Sequence, residues 1–307
     1  MNRINLTFGI PVYNAEKYII ELLKCFKDTK YFTYEVIIVD DGSTDNSYEI
    51  CKNYNNKNFK VYHKKNEGVS ATRNFIIDKA NGEWITFIDS DDLINFDKYA
   101  ALFIKIMKNE YDYHVGIRKQ KHYNLNSNKY TYLIENEIIN SPVDKFYKLE
   151  IVQKHNIKFN TKYSLGEDLL FNLHYLKHSK NVNYYFGEGM YIIRVVNQDS
   201  LTHKYRKDKF EELMSVNNEC IKLFSNDKKV LKSLEYIRVK NCISCIKDIY
   251  IFPGKINKPK EYINKIRKNK KMQFALLNSL STTLVYYFWY FVPNSFKLFI
   301  IRNKYSK

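Results

Sequence analysis

The sequence predicts an α/β fold, an open sheet with its ligand site at the carboxyl ends of the strands, followed by a helical region. Three observations carry this. Short apolar runs alternate with helical spacing over the first 110 residues. Acidic and polar clusters stand directly after those runs. Strand character ends near residue 206.

The apolar runs are residues 4–10, 34–40, 59–63 and 84–88, with helical patterns at about 15–28, 45–55, 69–80 and 97–108. Strand alternating with helix implies parallel pairing. Ligands of such sheets bind beyond the carboxyl ends of the strands. There the chain places Pro11-Val12-Tyr13-Asn14, Asp40-Asp41-Gly42-Ser43 and Asp89-Ser90-Asp91-Asp92. Further on, Tyr111 to Ile117 and Tyr130 to Ile134 read as strands, and 144–155 as a helix. The run Leu165-Gly166-Glu167-Asp168-Leu169-Leu170-Phe171 reads as a helix start with acids in its first turn. Two more strands are expected at 182–186 and 190–194, and helices alone from 206.

A hydrophobic content of 45% suits a core-forming chain, and 307 residues hold one large domain or two modest ones. The formal charge of +17 fits a nucleic acid, an anionic membrane or a phosphate-rich ligand. Joint enrichment in Lys, Asn, Ile and Tyr, the mark of an AT-biased genome, accounts for part of it. The five cysteines are odd in number and irregular in spacing, so no disulfide framework is expected. Cys242 and Cys245 lack a second pair for a zinc site and fall in a helical stretch. The apolar run from Leu6 to Ile10 is too short for a signal peptide and stops at Pro11, so a cytoplasmic location is expected.

Residues 255–271 carry eight Lys or Arg against Glu261 alone, and 274–292 carry no charge. Asn278, Ser279, Ser281, Thr282 and Thr283 make the uncharged stretch a poor spanning helix. A basic segment beside an aromatic apolar helix is expected to lie in the interface of an anionic membrane, peripheral to its inner face. A helix buried in a core or in a homodimer is the alternative.

The chemistry begins at Trp84-Ile85-Thr86-Phe87-Ile88, a buried strand that runs into Asp89, Asp91 and Asp92. Crowded carboxylates resist ionising unless a cation sits between them. Mg2+ or Mn2+ prefers oxygen ligands and needs only one or two carboxylates plus phosphate oxygens. The structural alternative is an acidic turn that caps the helix near 97. In the second cluster, Gly42 suits a turn and Ser43 or Asp45 a helix cap, which leaves Asp40 and Asp41 unexplained. A carboxylate there can accept the N–H of a nucleotide base. No Gly-x-Gly-x-x-Gly follows the first strand and no phosphate-loop Gly-x-x-x-x-Gly-Lys-Ser/Thr is present, against a dinucleotide site or an ordinary ATPase.

Taken together, Gly9-Ile10-Pro11-Val12-Tyr13-Asn14, Val39 to Asp45, Asn66 to Asn74 and Phe87 to Asp92 resemble the family 2 glycosyltransferases of the GT-A fold. Order and spacing agree over about residues 4–100, and the resemblance weakens through the following half. It implies a Rossmann-like GT-A catalytic domain over 1–205, with a nucleotide-binding half at 1–110 and an acceptor half at 111–205. The helical region is 206–307. It places Pro11, Tyr13, Asp41, Arg73, Asp89, Ser90 and Asp91 at the nucleotide sugar. Asp89 and Asp91 fall on the family's Asp-x-Asp, with Asp91 the leading ligand for Mn2+ or Mg2+. Glu167 and Asp168 resemble the family's Glu-Asp pair, in which the second acid is the catalytic base. Arg194 and His203, beside Ser200-Leu201-Thr202, fall near the diphosphate or acceptor in similar bacterial chains, although a surface loop histidine is the plain alternative. A Gln-x-x-Arg-Trp sequence is absent, since the only tryptophans are Trp84 and Trp289, so one sugar per encounter is expected.

The implied function is inverting transfer of a hexosyl or N-acetylhexosaminyl group from a nucleotide-diphosphate sugar, UDP-linked by expectation. The acceptor would be a lipid-linked glycan in capsule, exopolysaccharide or lipopolysaccharide synthesis. Transfer to a polyprenyl phosphate is the nearest enzyme alternative. A sugar-1-phosphate nucleotidyltransferase lacks its basic Gly-rich loop here. A basic nucleic-acid-binding module is disfavoured because acid-lined strand ends repel a phosphate backbone.

Overall fold

The computed structural model describes residues 3–117, 129–186, 189–194, 205–252 and 254–268. Two compact units arise, one from residues 1–125 with 139–197, the other from 126–138 with 198–307.

In the first unit the chain runs β1 (Leu6–Val12), α1 (Ile19–Lys24), β2 (Tyr34–Asp40), α2 (Ser47–Asn53), β3 (Phe59–His63), α3 (Val69–Lys79) and β4 (Trp84–Phe87). It continues as β5 (Leu93–Ile94), α4 (Phe96–Ile106) and β6 (Tyr113–Ile117). The second unit contributes α5 (Lys129–Glu135). Back in the first unit follow β7 (Lys145–Lys148), α6 (Leu149–Lys154), α7 (Glu167–His178), β8 (Val182–Phe186) and β9 (Tyr191–Ile192). The described residues of the second unit also form α8 (Lys209–Leu223), α9 (Lys228–Ile251) and α10 (Pro259–Arg267).

Among the described residues, seven strands form one sheet in the order β3-β2-β1-β4-β7-β6-β8, and β5 with β9 make a separate two-stranded ribbon. Every residue of β1 and β2 is buried, as strands covered on both faces require. Phe8 packs with Phe26, Tyr34, Phe96 and Tyr99 on the face carrying α1 and α4. On the other face α3 lies so close that a Cβ at Gly9 would stand 2.6 Å from Ile76. Pro11 has no N–H to give. It is tolerated because β1 pairs with β4 only from Leu6 to Gly9.

The first four sheet strands are parallel, as the alternation predicts. The sheet as a whole is mixed, because β7 runs antiparallel to both β4 and β6. The helix expected over 144–155 therefore begins only at Leu149. Lys145–Lys148 are drawn into the ladder, where Phe146 joins one core and Tyr147 meets Phe171 edge-on on the other face. The strand expected at Tyr130–Ile134 is α5 instead. Its apolar run is too short to fix a period. It docks by a Ser233 Oγ to Glu135 bond of 3.0 Å and by Tyr130 against Phe224.

The described residues of the second unit are mainly helical, and Cys242 and Cys245 lie one turn apart inside its core with Met214, Val239 and Ile263. Burial pushes Cys245 up to about 11 and Cys242 further, away from the thiolate that metal or nucleophilic chemistry needs. Among the described residues no helix is long and apolar enough to cross a membrane, and 274–292 lies outside them.

Candidate active site

The loops after β1 and β2 form one locked lip. Asn14, at a φ of 49°, donates its N–H to Ser43 Oγ at 2.9 Å and accepts from the Thr44 N–H at 2.8 Å. Ala15 N–H donates to Ser47 Oγ and Glu16 N–H to Asp45. Asp45 also accepts the Ser47 N–H at the start of α2, from one residue before the N-cap, which is Asn46 rather than the expected Ser43 or Asp45. Gly42 turns the chain at φ 72°, and a Cβ there would meet the Asn66 nitrogen at 2.7 Å.

The two acids left unexplained by the sequence are both held. Asp40 is fully buried, accepts the Ser43 N–H, and lies 2.8 Å from His63 Nδ1. Asp41 accepts the N–H groups of Glu67 and Gly68 at 3.0 and 2.8 Å, and the Lys64 ammonium. It thereby ties the end of β2 to the entry of α3. Pro11 is buried beside this lip, and Tyr13 is half-exposed above it.

Arg73 is the centre of the site. It projects from α3 and is 4% exposed. One arm donates to Asp168 Oδ1 at 2.8 Å and the other to Asp89 Oδ1 at 3.0 Å. Its guanidinium carbon lies 5.4 Å from the centre of the Phe159 ring. That ring is stacked 3.9 Å from Phe171 of α7, and the Asn74 amide bonds both the N–H and the C=O of Phe159 at 2.8 Å. Burial opposes the Arg73 charge, but Asp168, Asp89 and Glu167 outweigh it and raise its affinity for the proton. Asp168 goes the same way for a different reason. Burial pushes its carboxyl up to about 7 against the pull of Arg73, with Glu167 and Asp89 adding to the rise.

Glu167 and Asp168 occupy the first turn of α7, where the helix dipole favours negative charge. Gly166 starts that helix at φ 80°. Asn172, one turn beyond Asp168, is fully buried and was not singled out from sequence. Its oxygen accepts from Tyr113 and Tyr147, and its amide reaches the carbonyls of Ile139, Ser141 and Asp168. The available signal was an asparagine set inside Leu169-Leu170-Phe171-Asn172-Leu173. Asn172→Leu takes a partner from those five groups, of which the Tyr147 hydroxyl keeps the Pro142 carbonyl and the Asp168 carbonyl keeps its helix bond. It should cost about 2–4 kcal/mol of stability, read as a lower denaturant midpoint, because each buried group left unpaired costs about 1–3 kcal/mol before relaxation.

The carboxylate cluster divides its work. Asp89, Ser90 and Asp91 are part-exposed, while Asp92 is buried. The cluster does not cap α4, since Asn95 does so through the Lys98 N–H. Burial, then Asp89, raises Asp91. Asp92 rises to about 6, chiefly by burial. Asp92 accepts from Tyr191 Oη at 2.8 Å and from the Arg194 N–H at 2.9 Å. The Arg194 guanidinium is engaged with Asp91 C=O, Glu21 and Tyr18 C=O. His203 lies outside the described residues. Among the described residues no three His, Cys, Asp or Glu converge on a ready-made metal cage. Two adjacent carboxylates whose charges oppose each other still fit Mg2+ or Mn2+, which completes its shell with phosphate and water.

Among the described residues, the seven-stranded mixed sheet with acids at its strand ends is of the GT-A class, as the family and structural matches show. The profile of Glycosyl transferase family 2 matches residues 7–166, just over half of the chain, and the chain belongs to that family. It is 37% identical over 113 residues to Glycosyltransferase GlyA of Streptococcus pneumoniae, a match covering 36% of this chain and 16% of that one. It is 30% identical over 227 residues to the putative glycosyltransferase EpsH of Bacillus subtilis, covering 66% of this chain and 64% of EpsH. The chain thus spans less than two thirds of these relatives. Its fold matches the crystal structure of S. aureus TarS 1–349 in complex with UDP-GlcNAc, with a TM-score of 0.72 and 21% identity over 92% of this chain and 87% of that one.

Proposed function

We propose that the protein is an inverting, metal-dependent glycosyltransferase that adds one sugar from a UDP-sugar to a glycan hydroxyl. The observation that carries this is Arg73, which joins an acid of the donor-phosphate end, Asp89, to the acid placed as base, Asp168. A single guanidinium holding both ends sets their separation before substrate arrives.

Asp168 takes the proton of the acceptor hydroxyl, whose oxygen bonds to the anomeric carbon as the bond from that carbon to the diphosphate breaks. Attack opposite the leaving group inverts the centre. Asp91 and Asp89 would hold Mn2+ or Mg2+, which when bound neutralises charge on the departing diphosphate. Arg73 adds a fixed positive charge beside it. Pro11, Tyr13 and Asp41 take the nucleoside, Ser90 adds a polar contact, and Glu167 adds to the rise that burial gives the Asp168 carboxyl. The structural likeness to TarS with UDP-GlcNAc supports a UDP-linked hexosyl or N-acetylhexosaminyl donor.

The acceptor is read as a lipid-linked glycan of a surface polysaccharide at the inner membrane face. The basic run from Lys255 into α10 supports contact with anionic lipid. A thermal-shift panel of nucleotide sugars with Mn2+ tests the donor. UDP-sugars should raise the melting temperature, and EDTA should remove most of the rise. No stabilisation by any nucleotide diphosphate would sink the reading.

A further inference from the structure

We propose that Tyr191 and Arg194 are positioning residues that fix the spacing of Asp89 and Asp91, with Asp92 as their anchor rather than a third metal ligand. This rests on the metal-dependent reading above.

The Asp89–Asp92 turn closes on itself through the Asp92 N–H to the Asp89 carbonyl at 3.1 Å. Tyr191 spans that turn from outside. Its hydroxyl accepts the Asp89 N–H at 3.1 Å and donates to Asp92 Oδ2 at 2.8 Å. Both ends of the turn are therefore tied to one phenol oxygen. Arg194 fixes the middle. Its main-chain N–H takes the other oxygen of Asp92, and its Nε donates to the Asp91 carbonyl at 2.7 Å.

The remaining arms of Arg194 reach away from the turn. One pairs with Glu21 at 2.6 Å and the other donates to the Tyr18 carbonyl at 2.9 Å, with the guanidinium 5.2 Å from the centre of the Tyr18 ring. The turn is thus moored to the segment that begins α1. The ribbon holds the mooring in register, since Leu93 pairs with Ile192 and Ile94 with Tyr191. All three guanidinium nitrogens are engaged with protein oxygens, which assigns Arg194 to the turn rather than to the diphosphate. Asp92 is 6% exposed, and both of its oxygens are used in the same mooring. Losing a group that orients a metal ligand from behind typically costs about 10–100-fold in metal affinity.

The test uses the full chain with Mn2+ and UDP. Mn2+ binding in the presence of UDP is followed by the electron paramagnetic resonance signal of the free ion, and UDP binding in EDTA by calorimetry. Wild type should bind Mn2+ and Asp91→Asn should not. Tyr191→Phe keeps the ring and removes only the hydroxyl; it should weaken Mn2+ roughly tenfold and leave UDP binding in EDTA unchanged. Arg194→Ala should do the same. If Tyr191→Phe does not fold, Arg194→Ala decides the matter alone. Mn2+ affinity equal to wild type in the folded variants would overturn the proposal. So would a loss of UDP binding in EDTA for Arg194→Ala, which would mark a direct diphosphate contact. A wild type that binds no Mn2+ with UDP would instead overturn the metal-dependent reading, and this inference with it.

Discussion

Asp168→Asn should lower turnover by about 10²–10⁴-fold, the usual contribution of a positioned general base, while nucleotide binding stays close to wild type. The amide keeps the shape and a hydrogen bond acceptor for Arg73 but cannot take a proton. The pH profile gives the sharper test. With its carboxyl pushed up to about 7, Asp168 is protonated below that pH and inactive as a base. The rate in wild type should climb through pH 7 and level above it, and the residual rate of the variant should lack that limb. Stability moves the other way. A carboxyl near 3.9 in the unfolded chain and higher in the fold binds its proton more tightly when folded. Its contribution to stability is therefore full below pH 4 and is lost as pH rises towards 7. Asp168→Asn should flatten that slope in a pH series of denaturation midpoints. A profile that keeps its limb in the variant would remove Asp168 from the role.

Arg73 should be the most sensitive single position. Arg73→Ala leaves Asp89 and Asp168 facing each other without their shared cation. Breaking a buried pair costs about 3–5 kcal/mol, and the lower end applies here because the Asp89 side chain is 36% exposed and can rehydrate. Arg73→Lys keeps the charge but not the fork, so it should fold yet lose roughly 10²–10³-fold in kcat. The pH limb in Arg73→Lys should also move upward, because an ammonium reaching only one acid pulls less on Asp168. Arg73 and Asp168 touch, so the losses of Arg73→Lys and Asp168→Asn should combine to less than their product. Full additivity in that double-mutant cycle would mean that the two residues act separately.

The sequence made the nucleotide half legible because its signals are local. Short apolar runs followed at once by polar turn residues announced β1, β2 and β4, and with them the acids at the ends of β2 and β4. Glu167 and Asp168 were legible for the same reason, as acids opening an apolar helix. What escaped depends on partners far along the chain. Tyr191 is 102 residues from Asp89, and Asn172 is 59 from Tyr113. No periodicity connects them. Asp40 and Asp41 stood out as acids without a structural task, yet their tasks lie 23 to 27 residues away at His63, Lys64, Glu67 and Gly68. Lys145–Lys148 and Lys129–Glu135 were assigned the wrong element because four to seven residues cannot distinguish a period of two from one of 3.6. Neighbouring strands and helices decided instead.

The antiparallel strand β7 limits how this molecule can be re-engineered. It fills the gap between β4, which ends at Asp89–Asp92, and β6, which belongs to the half read as holding the acceptor. Grafting a foreign acceptor half at residue 110 would carry away the partner of β4 and leave a raw sheet edge beside Asp89. The halves read as binding donor and acceptor therefore do not part along the line where the sequence changes character. A chimera must import β7 in its native register, Trp84 against Lys148 and Ile85 against Tyr147, or replace the whole sheet.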